Sequence, residues 1–168
     1  AGLALALSAA GEHEEAIAAC RQALRMQPAN FVIRQILAAE FIDTRRSKDA
    51  ASLLENLLTE KGLDPGTIAA LKFNLALSMR DRGQYEQALE TLRAIDEHSR
   101  NIPYFHFEVG SLLFQLRKYE DALKQFDKAL ERRPGDARIL ASLALTAGYL
   151  DQPSQARDFA QKAISADG

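Results

Sequence analysis

Apolar side chains in the segment YEQALETLRAIDEHSRNIP, residues 85–103, fall at Tyr85, Ala88, Leu89, Leu92 and Ile95. This i, i+3, i+4, i+7 spacing gathers them on one face of an α-helix. Upstream, Leu75, Ala76 and Met79 are spaced i, i+1, i+4 and mark a second helix, with Gly83 between the two where a chain leaving a helix needs positive φ. The stretch YEDALKQFDKALERRPGDA, residues 119–137, repeats the pattern tyrosine, glutamate, any residue, alanine, leucine after 34 residues.

The period runs through the whole chain. One small residue recurs as Ala16, Ala50, Ala88, Ala122 and Ala156, at steps of 34, 38, 34 and 34 residues. Twelve residues before each stands another small residue, Ala4, Ala38, Ala76, Gly110 and Ala144, each preceded by an aliphatic one: Leu3, Leu37, Leu75, Val109 and Leu143. Twelve residues after come Pro28, Gly62, Arg100, Pro134 and Gly168, where a helix is expected to stop. Five units of two helices each follow, ten helices and no strand. A helical pair cannot bury its apolar face alone, so the repetition predicts stacked pairs sharing one continuous core. Small residues recur because helices approach closely only where no large side chain intervenes.

Local signals refine the boundaries. Asn30 and Asp136 stand where a unit begins, and Gly11 breaks the first pair as Gly83 breaks the third. The step of 38 contains Asp64 and Pro65, a cap followed by a first-turn proline. Four extra residues are about one helical turn, so the first helix of the third unit gains a turn at its start without losing phase. The last helix, Ser154 to Ala166, carries Phe159, Ala163 and Ile164 with no following repeat to cover them.

Composition bounds what such a chain can do. With 168 residues, 47% hydrophobic and 26% charged, it is large enough to bury a core as a single domain. A net charge of −2 and a pI near 6.0 give no positive field for nucleic acid or an anionic membrane surface. The doublets Arg45-Arg46 and Arg132-Arg133 fall at helix ends among acidic residues and read as solvated surface, so that replacing Arg133 should cost a partner little. The opening AGLALALSAAG lacks a basic leader and fits the repeat columns, which favours a helix over a secretory signal. Other apolar runs are far shorter than the ~18 residues of a membrane span. A soluble protein is expected, the cytoplasm being favoured over the periplasm. Cys20 is the single cysteine and aligns with Leu54, Leu92 and Phe126 as a core position.

With a period of 34 residues, paired helices, small residues at the crossings and proline near the unit ends, the chain resembles the tetratricopeptide repeat family. The best matches are GQYEQALETL and RKYEDALKQFDKALERRPGD, and the resemblance covers the whole sequence. It implies an all-α, right-handed α-solenoid, a single domain spanning 1–168 with units at about 1–30 (partial), 31–64, 65–102, 103–136 and 137–168. Arg34, Lys72, His106 and Leu140 stand where the family often has tryptophan, and the second unit has Arg45 for glycine and Gly62 for proline.

Catalytic signatures fail on inspection. GEHEEAI begins like a zinc-protease helix, but Ile17 occupies the place of the second histidine. His106 and Glu108 form an H-x-E pair without the C-x-x-C of zinc deaminases. GLDPGT lacks the lysine of a phosphate-binding loop. His13, His98 and His106 lie in different units, which argues against a shared metal. No enzyme activity, cofactor or metal is expected.

The positions that do not repeat remain. On the face each first helix turns away from its packing partners lie Phe73, Asn74, Leu77 and Arg80 in the third unit. The fourth carries Tyr104, Phe107, Glu108, Ser111 and Phe114, and the fifth carries Arg138, Ser142, Leu145 and Tyr149. The resemblance implies that this stripe lines a concave surface that binds an extended peptide or a partner helix. One variant of the family clamps a C-terminal carboxylate; Asn74 matches its central asparagine, but Gln35, Ala39, Tyr104 and Glu108 do not, and a glutamate there would repel a carboxylate. Phe73, Tyr104, Phe107, Phe114 and Tyr149 each carry about 150 Å² or more, and half-open they would form a patch of about 400 Å². An open patch binds a partner with an apolar or aromatic segment; rings sealed by neighbouring helices do not. The expected function is a protein-interaction scaffold, the alternatives being the regulatory or targeting arm of a larger enzyme and a scaffold that self-associates through exposed terminal repeats.

Overall fold

The computed structural model describes residues 1–95, 102 and 104–166. The expectations at His98, Arg100 and Gly168 lie outside the described residues. Those described contain ten α-helices and no strand: α1 (Gly2–Ala9), α2 (His13–Met26), α3 (Phe31–Asp43), α4 (Ser47–Leu58), α5 (Pro65–Asp81), α6 (Tyr85–Arg93), α7 (Phe105–Gln115), α8 (Tyr119–Arg132), α9 (Ala137–Tyr149) and α10 (Pro153–Ala166). The chain divides into two compact units, Ala1–Ser99 and Arg100–Gly168. Within each, every helix packs on its successor, and first helices also touch across hairpins, α1 on α3, α3 on α5 and α7 on α9.

One turn closes all five hairpins. Gly11, Arg45, Gly83, Arg117 and Asp151 share a left-handed backbone, with φ of 77°, 60°, 74°, 58° and 56°. The following amide reaches back over the helix end in each case: Glu12 to Leu7 O (2.9 Å), Arg46 to Phe41 O (2.7 Å), Gln84 to Met79 O (3.0 Å), Lys118 to Leu113 O (2.9 Å) and Gln152 to Ala147 O (3.0 Å). These bonds satisfy carbonyls the helix leaves orphaned. A side chain in this conformation costs about 1–2 kcal/mol, so the Arg45-for-glycine departure alters a local cost and leaves the turn intact.

Caps set the other ends. The Asn30 side chain accepts from the Ile33 amide (3.1 Å) and Asp136 from those of Arg138 (3.1 Å) and Ile139 (3.4 Å). Asp64 accepts from the Thr67 amide (3.0 Å) and hydroxyl (2.5 Å), and Pro65 opens α5. At 17 residues α5 is longer than α3 (13) and α9 (13), so the four-residue insertion lengthens the helix as its spacing requires.

The small-residue columns form the crossings. Ala16, Ala50, Ala88 and Ala122 have no solvent exposure, and Ala4, Ala38 and Ala76 have 3% or less. Gly110 occupies the same column because of Phe126: a β-carbon there would lie 2.7 Å from the ring. Units with leucine at the Phe126 position, Leu54 and Leu92, accommodate Ala38 and Ala76 instead. In the last unit Ala144 and Ala156 are only half-buried, and α10 has no fully buried residue. Ile164 is exposed as expected, but Phe159 and Ala163 are half-buried rather than bare, through the packing of α10 on α9.

Gly110→Ala should lower the melting temperature, because overpacking costs about 1–3 kcal/mol against a helix-propensity gain of up to about 1 kcal/mol. Adding Phe126→Leu should recover stability beyond the sum of the single changes, and strictly additive effects in thermal denaturation would contradict the size exchange. At the α5 cap, hydrogen bonds from Thr67 hold the Asp64 carboxyl below its ordinary value of 3.8. Stabilisation from a depressed carboxylate is present above its unfolded pKa and lost as pH falls through its folded one. Protection factors at Thr67 and Ile68, with the acid-slowed intrinsic exchange divided out, should therefore fall as pH drops through the folded pKa, and Asp64→Ala should show the lower protection already at neutral pH.

Candidate functional site

The stripe residues divide between the two units. On α5, Phe73, Asn74, Leu77 and Arg80 are all half-buried. Arg80 donates through Nε and Nη2 to Asp81 Oδ1 (3.2 and 3.0 Å), which fixes a guanidinium beside the apolar Leu77 surface. The backbone carbonyl of Asn74 accepts from the buried Ser78 hydroxyl (3.1 Å).

In the second unit the aromatic residues engage one another. Phe107 is half-buried, its ring centroid 5.7 Å from that of Phe126 on α8. Phe114 stands edge-on to Tyr119 (5.3 Å) and to Tyr149 (5.2 Å), while the two tyrosines stack at 4.9 Å. This trio ties the end of α7 to the start of α8 and the end of α9, leaving Tyr149 59% exposed. Aromatic pairs in such geometry contribute about 0.5–1.5 kcal/mol each beyond their buried area, so the cluster is part of the fold as well as of the surface.

Two expectations need correction. Tyr104 does not lie on the helical stripe: it is the residue before α7, with φ of 60°. Its hydroxyl donates to Asp136 Oδ2 (2.9 Å), and the guanidinium groups of Arg133 and Arg138 stand over its ring, 4.0 and 4.5 Å from the centroid. Arg133, read as a solvated charge, also donates to the Tyr104 hydroxyl (2.9 Å). Cation–π attraction from two arginines makes this a junction joining the entry of α7 to the α8–α9 turn, and Arg133 is no neutral control.

Between α7 and α9 the surface opens into a cleft of about 200 Å³ lined by Ser111, Phe114, Gln115, Phe126, Ser142 and Leu145. Phe126 belongs to the core at 2% exposure, whereas Leu145 on the rim is 56% exposed. The Ser111 and Ser142 hydroxyls donate to Phe107 O and Arg138 O (2.9 Å each) within their helices, so their oxygens keep lone pairs for an incoming N–H. Glu108 lies half-buried on α7, one turn before this cleft.

The other chemical candidates are placed as follows. Cys20 is fully buried and burial pushes its thiol pKa up, which suits a core residue and disfavours a thiolate nucleophile. His106 contacts Gln125 Oε1 through Nδ1 (3.0 Å). His13 meets the buried Glu40 of α3, Nδ1 to Oε2 at 2.9 Å, a pairing that sequence spacing gave no means to find. That hydrogen bond raises the His13 pKa against the opposing effect of desolvation. No described helix is long and apolar enough to cross a membrane.

Comparison with known proteins bears on fold and family. The chain is 24% identical over 169 residues to the TPR repeat-containing protein YpiA of Bacillus subtilis (strain 168), covering 99% of this chain and 38% of that protein. Among solved structures it superposes on MamA with a TM-score of 0.76 at 18% identity, over 96% of this chain and 92% of that one. A MamA fragment from Desulfovibrio magneticus RS-1 gives 0.80 at 13% identity, over 99% and 92%. YrrB, described as a TPR protein with an unusual peptide-binding site, gives 0.71 at 24% identity, over 98% and 83%. These likenesses agree with an all-α fold of stacked helical hairpins, the solenoid architecture of TPR proteins. Tetratricopeptide repeat family models match residues 1–30, 73–137 and 107–168, more than half of the sequence, and with the repeated hairpin turn and crossing residues they make the chain a member of the tetratricopeptide repeat family.

Proposed function

We propose that the chain is a non-catalytic scaffold that binds a protein partner as an extended peptide or helix, its five repeats acting as one domain. The observation that carries this reading is the cleft between α7 and α9, where an apolar floor of Phe114 and Phe126 lies beside hydroxyl acceptors at Ser111 and Ser142. An apolar or aromatic anchor side chain fills the floor while its backbone N–H groups reach the serines. Gln115, at the mouth, offers both a donor and an acceptor. Phe107, Leu145 and Tyr149 widen the apolar surface, and Glu108 disfavours acidic partners. Phe73, Asn74, Leu77 and Arg80 of α5 supply a separate contact from the first unit. The peptide-binding described for YrrB is in keeping with this use of the fold. Exposure of Leu3 (68%), Leu5 (53%) and Ile164 (69%) favours self-association as a second reading, which sedimentation over a range of concentrations would reveal as a rising mass.

Selection of random peptides on the immobilised protein should enrich sequences with an apolar or aromatic anchor. Phe107→Ala should weaken the best of them by about 2 kcal/mol, the scale of a central hot spot, once circular dichroism shows an intact fold. Leu145→Glu, on the exposed rim, should weaken binding without touching the core, and Lys124→Ala on α8 should leave it unchanged. Acidic consensus peptides, or equal affinities across the variants, would overturn the reading.

A further inference from the structure

Among the described residues Glu40 is the one charged side chain with no solvent exposure. The repeat does not ask for it. Its column holds Ala6, Ser78, Leu112 and Thr146 in the other units, and the buried hydroxyls of Ser78 and Thr146 satisfy themselves on Asn74 O (3.1 Å) and Ser142 O (2.6 Å). A carboxylate has no such recourse, because it only accepts. Glu40 Oε2 meets His13 Nδ1 at 2.9 Å, and Glu40 Oε1 has no hydrogen-bond partner. His13 serves one oxygen only, and leaving the buried Oε1 unmatched is costly and calls for a further donor or a cation shared with Oε2.

Asp43 follows Glu40 by three residues on α3 and so projects from the same side of the helix. One donor atom each from His13, Glu40 and Asp43 lies within 4.8 Å of the others. Two donors about 2.1 Å from a common ion stand about 3.0–3.4 Å apart at right-angle to tetrahedral geometry. The His13–Glu40 separation of 2.9 Å is close to that already. Asp43 is exposed, and ion binding requires its carboxylate to turn inward from within the 4.8 Å limit. His13 opens α2 directly after the tight turn at Gly11, and Glu40 sits within α3, so two of the three donors stand on packed helices.

We propose that His13, Glu40 and Asp43 form a site for a divalent transition-metal ion, zinc matching it best, which clips α2 to α3 in the first unit. One imidazole nitrogen and two carboxylate oxygens suit zinc, with water completing the shell. Calcium and magnesium prefer more numerous, all-oxygen ligands and fit poorly. The zinc-protease pattern around His13 fails along α2 because it seeks a second ligand on the same helix; the partners stand on α3 instead.

The test is calorimetric titration of the intact, chelator-treated chain with zinc chloride, with cobalt(II) as a spectroscopic probe. One zinc per chain should bind and raise the melting temperature, as a ligand selective for the folded state must. His13→Gln and Asp43→Asn change side chains that are not core and should each weaken zinc by about tenfold or more, while His106→Gln should not. Absence of saturable binding, unaltered binding in both His13→Gln and Asp43→Asn, a cobalt–thiolate band implicating Cys20, or equal uptake of calcium would each overturn the assignment.

Discussion

Two α-helices lie against each other at close range only where neither presents a large side chain at the crossing, and every other feature of this protein depends on that constraint. Ala16, Ala50, Ala88 and Ala122 meet it with no exposure at all. Where α8 brings the bulkier Phe126, the facing position gives up its β-carbon and becomes Gly110. Close approach in turn demands a short, fixed connection, and the left-handed residue at Gly11, Arg45, Gly83, Arg117 and Asp151 supplies it. Once crossing and turn are set, the hairpin leaves an apolar face that only the next hairpin can cover, which is why the unit recurs.

That economy divides the residues by role. Periodic positions are committed to packing, so a surface that distinguishes this chain from its relatives has to be written in positions that change from unit to unit. In the second unit these positions are aromatic. They serve two purposes: the Phe114, Tyr119 and Tyr149 cluster pins three helix ends, and the cleft beside it keeps a mixed apolar and hydroxyl-bearing surface. Tyr104 has a structural role as well, held by Asp136, Arg133 and Arg138. If the cleft takes an anchor side chain as proposed, its already braced walls lower the ordering cost of binding.

The helices, the Asn30, Asp64 and Asp136 caps and the lengthened α5 were legible in the sequence because each is a local effect with a fixed spacing. The Gly110–Phe126 exchange lay in two aligned columns but needed the distance between them to be seen. Arg45, Arg117 and Asp151 hid the turn, since the geometry there comes from backbone hydrogen bonds that any residue can make at a cost. The Tyr104 junction and the His13–Glu40 pair are 29 and 27 residues apart in their key contacts and follow no period, so neither spacing nor composition betrays them. The site stripe was visible as a set of non-repeating positions, but which rings pack against one another depends on side-chain directions that spacing alone does not determine.

On the function proposed above, partners engage the α7–α9 face rather than the apolar residues exposed elsewhere, such as Met26, Val32 and Ile164. Methyl and aromatic NMR of the intact chain, titrated with a peptide selected on it, tests this most directly. The largest chemical-shift changes should cluster on Leu145, Phe107, Phe114 and Tyr149, with the methyl groups of Met26, Val32 and Ile164 unmoved. Changes concentrated on those three, with the α7–α9 face silent at saturation, would contradict it.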